Sequence, residues 1–128
     1  MQLDLGTRTG HDNLHSLWDS AMASHPNLER PLSSESKRWL DEYSNKLIAA
    51  YPPENYTKKL ATSYSSWLSE GLIIVKDYVY QGIQENNAPR KEYLDKNLSI
   101  VEQQLALAGY RLANELNCVY DTASCVKT

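Results

Sequence analysis

The chain contains no phenylalanine, only five glycines and five prolines, and no excess of positive charge. With 41% hydrophobic residues, this composition excludes a disordered or fibrous protein. Thirteen Lys and Arg residues stand against sixteen Asp and Glu residues, which gives a formal net charge of −3. This balance argues against a protein that binds nucleic acid mainly through a basic surface. It leaves open the binding of phosphate groups through metal ions.

Long hydrophobic runs are also absent. No apolar run approaches the roughly 18 residues that a membrane-spanning helix needs, and the mean hydropathy is −0.57. The first residues have neither the basic start nor the apolar stretch of a signal peptide. The sequence therefore predicts neither a membrane span nor a signal peptide in this chain.

The aromatic residues that are present are nine tyrosines and three tryptophans. A core built from these side chains must supply hydrogen-bond partners for many hydroxyl and indole groups. A length of 128 residues corresponds to one globular domain or to part of one.

Apolar residues at helical spacing predict an all-α fold of about four helices. A strand-like fragment at residues 2–5 precedes them without a partner strand downstream. Asn13 is predicted to cap the first helix, and Ser33 or Ser34 the second. The predicted helices run from Asn13 to Met22, from Ser33 to about Ala50, from Thr57 to about Tyr80, and from Arg90 to Asn117.

Gly109 interrupts the apolar stripe of the fourth predicted helix. Glycine in a helix interior costs about 1 kcal/mol relative to alanine. We therefore expect another backbone to pack closely against this position.

Two cysteines, Cys118 and Cys125, lie in the last dozen residues. They can form a small disulfide loop in an oxidising compartment, or they can remain two free thiols on a frayed tail. The sequence leaves both alternatives open.

His15 and Asp19 are four residues apart on the first predicted helix, so their side chains share a face. An imidazole nitrogen and a carboxylate oxygen at this spacing can both reach one zinc ion or another borderline divalent metal. The alternative is an ion pair or hydrogen bond on a helix surface. His25, which precedes Pro26, is predicted to be a solvated loop residue.

Two motifs point to a known family. Residues 13–19 read NLHSLWD and follow a turn that contains Gly10; they resemble the NLHxxWD motif of zinc-dependent single-strand nucleases, the S1/P1 nuclease family. Residues 108–114 read AGYRLAN and resemble the terminal helix of that family, which typically ends in an AGxRLAxxLN pattern. Zinc phospholipases C share the fold in outline, but these two motifs favour the nuclease branch.

The resemblance implies a helical domain that holds three zinc ions and hydrolyses single-stranded DNA or RNA to 5′-phosphate products. Its substrate is expected to be single-stranded nucleic acid or nucleotides. His15 and Asp19 match the ligands of the zinc that stands apart from the closely spaced pair. Asn13 and His11 are expected near the substrate or behind the ligands. Trp18 is expected to be a core anchor, and Arg111 a structural residue that binds backbone carbonyls. Members of the family are usually secreted or periplasmic.

The remaining zinc ligands of the family have no match here, so residues 1–128 are expected to form a single partial domain, the C-terminal part of the family's fold. At most one partial zinc site is then present, with no catalytic residue beyond the two metal ligands. The missing N-terminal half becomes a candidate partner, and the chain alone is expected to be inactive. Residues 118–128 are predicted to form a flexible tail. The alternative function is a non-catalytic helical domain that binds a partner or itself.

Overall fold

The computed structural model describes residues 1–2 and 13–127. Within these ranges the chain forms five α-helices and no named strand, which confirms the predicted all-α class. The strand-like fragment lies mostly outside the described residues, although Gln2 forms an isolated bridge with Asn13. The helices are α1 (Leu14–Asp19), α2 (Ser34–Ala50), α3 (Thr57–Leu60), α4 (Tyr64–Ile74) and α5 (Lys91–Tyr120).

The two predicted N-caps are confirmed. The side chain of Asn13 accepts a hydrogen bond from the backbone N–H of Ser16 at 2.9 Å, and Ser33 Oγ accepts one from Ser36 N–H at 3.0 Å. Each cap satisfies an amide that has no partner inside the first turn of its helix. These caps explain where α1 and α2 begin.

The predicted third helix is divided. It is interrupted after Leu60 and restarts as α4 at Tyr64. Ser63 directly precedes α4 and caps its first turn, because its side chain and carbonyl both accept a hydrogen bond from Ser66 N–H, at 3.3 and 2.9 Å. Thr62 Oγ1 donates to the carbonyl of Lys59 at 3.1 Å. Short hydroxyl side chains that bind nearby backbone groups compete with helix continuation. A π-helical turn, Val75–Val79, then follows α4.

Helix α1 is shorter than predicted: it ends at Asp19, whereas the sequence predicts an end near Met22. Ala21, Met22 and Ala23 follow with positive φ angles of 50°, 58° and 59°. This left-handed conformation costs an ordinary residue roughly 1–2 kcal/mol. Burial of Ala21 and Met22 and a hydrogen bond of 2.9 Å from Met22 N–H to the carbonyl of Leu17 oppose this cost.

The chain divides into two compact units. Unit 1 comprises Met1–Asn27 and Leu68–Glu102, and unit 2 comprises Leu28–Trp67 and Gln103–Thr128. Helices α4 and α5 therefore contribute to both units. The assignment of residues 1–128 to a single partial domain stays a prediction.

The core of unit 1 is built on the apolar side of α1. Its buried members are Leu14, Leu17, Met22, Ile83 and Tyr93, and Trp18, Val79, Leu94, Leu98 and Val101 pack against them. The N-terminal residue belongs to the same unit, where Leu14 N–H donates a hydrogen bond to the carbonyl of Met1 at 3.1 Å. The unit thus fixes α1 by its buried side.

The core of unit 2 depends on the second half of α5. Ala106, Leu107, Arg111 and Asn114 are buried there. Tyr110 Oη donates to the carbonyl of Tyr51 at 2.7 Å. The hydroxyl and amide groups on this side of α5 therefore have the partners that burial requires.

A disulfide between Cys118 and Cys125 closes a short loop at the end of α5. Asn114 holds the same segment, because its amide donates to the carbonyl of Val126 at 3.2 Å and its Oδ1 accepts from Val126 N–H at 2.8 Å. The proposed flexibility of residues 118–128 concerns motion and stays a prediction. In the described ranges, every helix is too short or too polar to cross a membrane.

Candidate metal centre

Helix α1 presents His15 and Asp19 on the side that faces away from the core. Leu14 and Leu17 are buried on the opposite side of the same six-residue helix. The Asn13 cap and this burial fix both the start and the rotation of α1. The solvent-facing direction of His15 and Asp19 therefore follows from the residues between and before them.

The two side chains meet without any other group between them. His15 Nε2 lies 3.1 Å from Asp19 Oδ2, and the side chains are 87% and 69% exposed. Two ligands bound to one zinc at about 2.1 Å with a tetrahedral angle are about 3.4 Å apart. The observed separation fits two donors of a single ion, and the same distance fits the alternative of a surface ion pair.

The pair does not form a complete site within the described residues. No group of three His, Cys, Asp or Glu side chains that could hold a metal occurs in that part of the chain. His11 lies outside the described residues. The roles of His15 and Asp19 as ligands, and of His11 and Asn13 near the substrate, therefore stay predictions.

A cleft of about 560 Å³ borders His15. Asn13 lines it, but its Oδ1 already caps α1. The cleft lies entirely within unit 1, and its wall combines polar groups with apolar and aromatic side chains: Met1, Gln2, Asn13, Leu14, His15, Trp18, Val75, Val79 and Tyr80.

A chain of two hydrogen bonds supports α1 from behind. Trp18 Nε1–H donates to Tyr93 Oη at 3.0 Å, and Tyr93 Oη donates to the carbonyl of Val79 at 2.7 Å. Burial raises the pKa of the Tyr93 hydroxyl, although the hydrogen bond from Trp18 acts in the opposite direction. Trp18 is thus a core anchor, as predicted, and holds the helix that carries His15 and Asp19.

Comparison with known proteins decides the family. The S1/P1 Nuclease family matches residues 2–121. The chain belongs to the S1/P1 nuclease family. The resemblance inferred from the two motifs is therefore confirmed, and the chain is by that relationship a relative of hydrolases that act on phosphodiester bonds.

The chain is similar to Endonuclease 2 from Arabidopsis thaliana, a curated relative that is 31% identical over 115 residues. The match covers 84% of this chain and 38% of the relative. The chain therefore spans well under half the length of that relative. No solved structure matches the chain.

The family's terminal-helix motif lies in unit 2. Arg111 is buried there; its Nε–H donates to the carbonyl of Lys59 at 3.3 Å, and its guanidinium lies 4.6 Å from the ring centre of Trp67. This is the structural role predicted for Arg111. His25 lies on the segment after α1, outside the pair, with intermediate burial.

Tyr93 is the residue that sequence reasoning missed. It lies in the first turn of α5, and its link to Trp18 joins residues 75 positions apart. A signal does exist, because a buried tyrosine and a buried tryptophan each need a polar partner. Nothing in the spacing indicates that they satisfy each other.

Proposed function

We propose that this chain contributes to a zinc-dependent nuclease of the S1/P1 type that cleaves single-stranded DNA or RNA to 5′-phosphate products. In this proposal His15 and Asp19 are two ligands of one zinc ion, and the chain alone has no nuclease activity. The observation that carries the proposal is the exposed His15–Asp19 pair at 3.1 Å, on a segment within the family match.

The donor set suits zinc, because an imidazole nitrogen and a carboxylate oxygen are both common zinc ligands. When bound, zinc acts as a Lewis acid that stabilises negative charge on phosphodiester oxygens. A histidine binds a metal through a neutral imidazole nitrogen. Asp19 supplies a negative charge that partly neutralises the ion.

In this proposal the residues around the pair position helix α1 and do not themselves bind the metal. Asn13 fixes the start of α1, while Trp18 and Tyr93 hold its buried side. The cleft beside His15 gives a nucleotide substrate a route to the ion.

Zinc titration calorimetry on the tag-free chain tests the ligand assignment. We expect one zinc per chain for the wild type, and no saturable binding for the His15→Ala, Asp19→Ala double variant. His25→Ala is the matched control, because it removes a histidine outside the pair and should bind zinc as the wild type does. Equal binding by wild type and double variant would contradict the assignment.

Cleavage of single-stranded DNA by the purified chain in zinc-containing buffer tests the second part. No turnover is expected, because the described residues offer no third His, Cys, Asp or Glu side chain to complete a metal site with the pair. Robust cleavage that is lost on chelation of zinc would show that the chain is active by itself.

A secreted or periplasmic location is part of the proposal. The Cys118–Cys125 disulfide supports it, since such bonds persist mainly in oxidising compartments. Quantifying free thiols in protein from the native source would check this point.

The second candidate is a non-catalytic helical domain that binds a partner or itself. Apolar side chains exposed on α4 and α5, including Leu68, Leu72 and Leu112, favour it. Association without zinc binding would identify this function.

A further inference from the structure

Asn97 is a polar residue within the apolar stripe of α5. Tyr93 precedes it by four residues and belongs to the core cluster of unit 1, and Val101 follows it by four residues and packs against that cluster. Helical periodicity places Asn97 on the same side of α5 as these two residues. Only 1% of Asn97 is exposed. An amide therefore occupies a position where the pattern of the helix predicts an apolar side chain.

The side-chain carbonyl of Asn97 lacks a hydrogen-bond partner among the described residues. Its Oδ1 is buried and accepts no hydrogen bond there. By contrast, the buried side chain of Asn114 uses both its amide and its Oδ1. A buried polar atom normally pairs with a protein group, an ordered water or a ligand. Asn97 Oδ1 is thus an acceptor for a donor that the described part of the chain does not supply.

A cavity of about 390 Å³ borders Asn97. It lies within unit 1. Its lining includes the buried side chains of Tyr93 and Asn97 and three exposed charged residues, Arg90, Glu92 and Lys96. Two cations stand against one carboxylate, so the lining carries an excess of positive charge. The cavity therefore combines an unpaired acceptor with a preference for anions.

Both cations are available to an anion. Within the described residues, neither Arg90 nor Lys96 forms an ion pair. Lys96 Nζ lies 4.6 Å from the ring centre of Tyr78, and a tyrosine ring attracts a cation without neutralising its charge. An anion that enters the cavity can therefore bind both cations without first breaking an ion pair.

These two features together define the chemistry of the ligand. Arg90 and Lys96 have only hydrogen-bond donors, so they select an anion with acceptor oxygens. Asn97 Oδ1 is an acceptor, so it selects a group that carries a proton. Hydrogenphosphate meets both requirements, because its charged oxygens accept from cations and its O–H donates to a carbonyl. Sulfate is also an anion with acceptor oxygens, but at neutral pH it has no proton to donate.

We propose that this cavity binds inorganic phosphate in its protonated forms. The phosphate O–H donates to Asn97 Oδ1, and the remaining oxygens accept from Arg90 and Lys96. Because Asn97 is almost completely covered, the phosphate reaches it after the long, exposed side chains of the two cations change rotamer. The site shares no lining residue with the cleft beside His15, and the inference depends neither on the zinc proposal nor on family membership.

Calorimetric titration of the chain with phosphate at neutral pH, in buffer with a zinc chelator, tests the proposal. The chelator excludes zinc bound at His15 and Asp19, so failure here is distinguishable from failure of the zinc proposal. We expect one saturable phosphate site per chain, and sulfate should bind about tenfold more weakly or worse, because only phosphate pairs with Asn97. In NMR spectra of isotope-labelled chain, the side-chain amide signal of Asn97 should shift with phosphate and not with sulfate.

Methyl phosphate distinguishes free phosphate from a phosphate ester. Its second pKa is about 6, so at neutral pH most of it carries no O–H group. It should therefore bind more weakly than inorganic phosphate. Methyl phosphate that binds as tightly as phosphate would overturn the assignment, because an ester would then satisfy the site without donating a proton to Asn97.

Two variants separate the acceptor from the cations. Asn97→Leu fits the apolar stripe, so the chain should fold, and it should bind phosphate and sulfate with equal, weak affinity. Lys96→Met should weaken phosphate binding roughly fivefold or more. Lys46→Met is the matched control, because Lys46 Nζ also lies over a tyrosine ring, 5.5 Å from the ring centre of Tyr43. This control should bind phosphate as the wild type does.

Three further results would overturn the proposal. Equal affinity of the wild type for phosphate and sulfate would mean that the cavity attracts anions in general. A preference for phosphate that survives in Asn97→Leu would place the selective group elsewhere. The third is an Asn97 amide signal that stays unchanged as phosphate is added, which would leave an ordered water as the partner of Oδ1.

Discussion

Replacing Gly109 by alanine should stabilise this chain. The position lies inside α5, where alanine is favoured over glycine by about 1 kcal/mol. Apart from its own stretch of helix, the added Cβ would meet no atom of the described residues within 4 Å, so no steric cost from these residues opposes the gain. For a chain of this size, the corresponding rise in melting temperature is about 4 °C.

Urea denaturation followed by circular dichroism measures this change in unfolding free energy. Ala108→Gly is the matched control on the same exposed side of α5 and should lower the unfolding free energy by about 1 kcal/mol. A Gly109→Ala variant that is less stable than the wild type would refute the reasoning. Such a result would mean that another part of this chain packs against Gly109.

Four other predictions concern the rest of the chain. Tyr93→Phe should lower the unfolding free energy by about 1–3 kcal/mol, because it leaves the indole of Trp18 and the partly buried carbonyl of Val79 without their partner; exposed Tyr80→Phe is the control. Folding raises the pKa of Tyr93, so this tyrosine ionises first in the unfolded state. The wild type should therefore lose stability as the pH rises above about 10. The Tyr93→Phe variant should lose less stability over the same pH range. Ala23→Gly should be neutral or stabilising, since Ala23 has a φ of 59°, whereas Ala→Gly within α5 destabilises; thermal melts compare the two. Reduction of the Cys118–Cys125 disulfide should lower the unfolding free energy by about 2 kcal/mol, from the seven-residue separation, and a melt in reductant that matches the oxidised one would contradict this estimate.

Local chemistry makes much of the fold predictable from the sequence. The caps at Asn13 and Ser33 are local, because each side chain binds an amide three residues away. The proximity of His15 and Asp19 follows from helical periodicity alone. The all-α class and the pairing of the two candidate ligands therefore follow from residues that are close together in the sequence.

Two kinds of feature are not predictable in this way. One depends on side-chain hydrogen bonds that compete with helix formation, and the other on contacts between residues far apart in the sequence. The break before α4 is accompanied by local hydrogen bonds of the Thr62 and Ser63 side chains to nearby backbone groups, while the apolar pattern continues across it. The left-handed turn at Ala21–Ala23 contradicts local preference and is stabilised by burial. The sequence predicts a closely packed backbone at Gly109, but a Cβ placed there would meet no atom of the described chain within 4 Å.

The central claim is that His15 and Asp19 together bind one zinc ion. The chain has three histidines, so a zinc titration followed by NMR of the imidazole Cε1–H groups separates them. We predict that the His15 signal shifts and saturates at one zinc per chain, and that Asp19→Ala abolishes the shift while His25 does not respond. A His15 signal that stays unchanged as zinc is added, or that shifts equally in the Asp19→Ala variant, would contradict it.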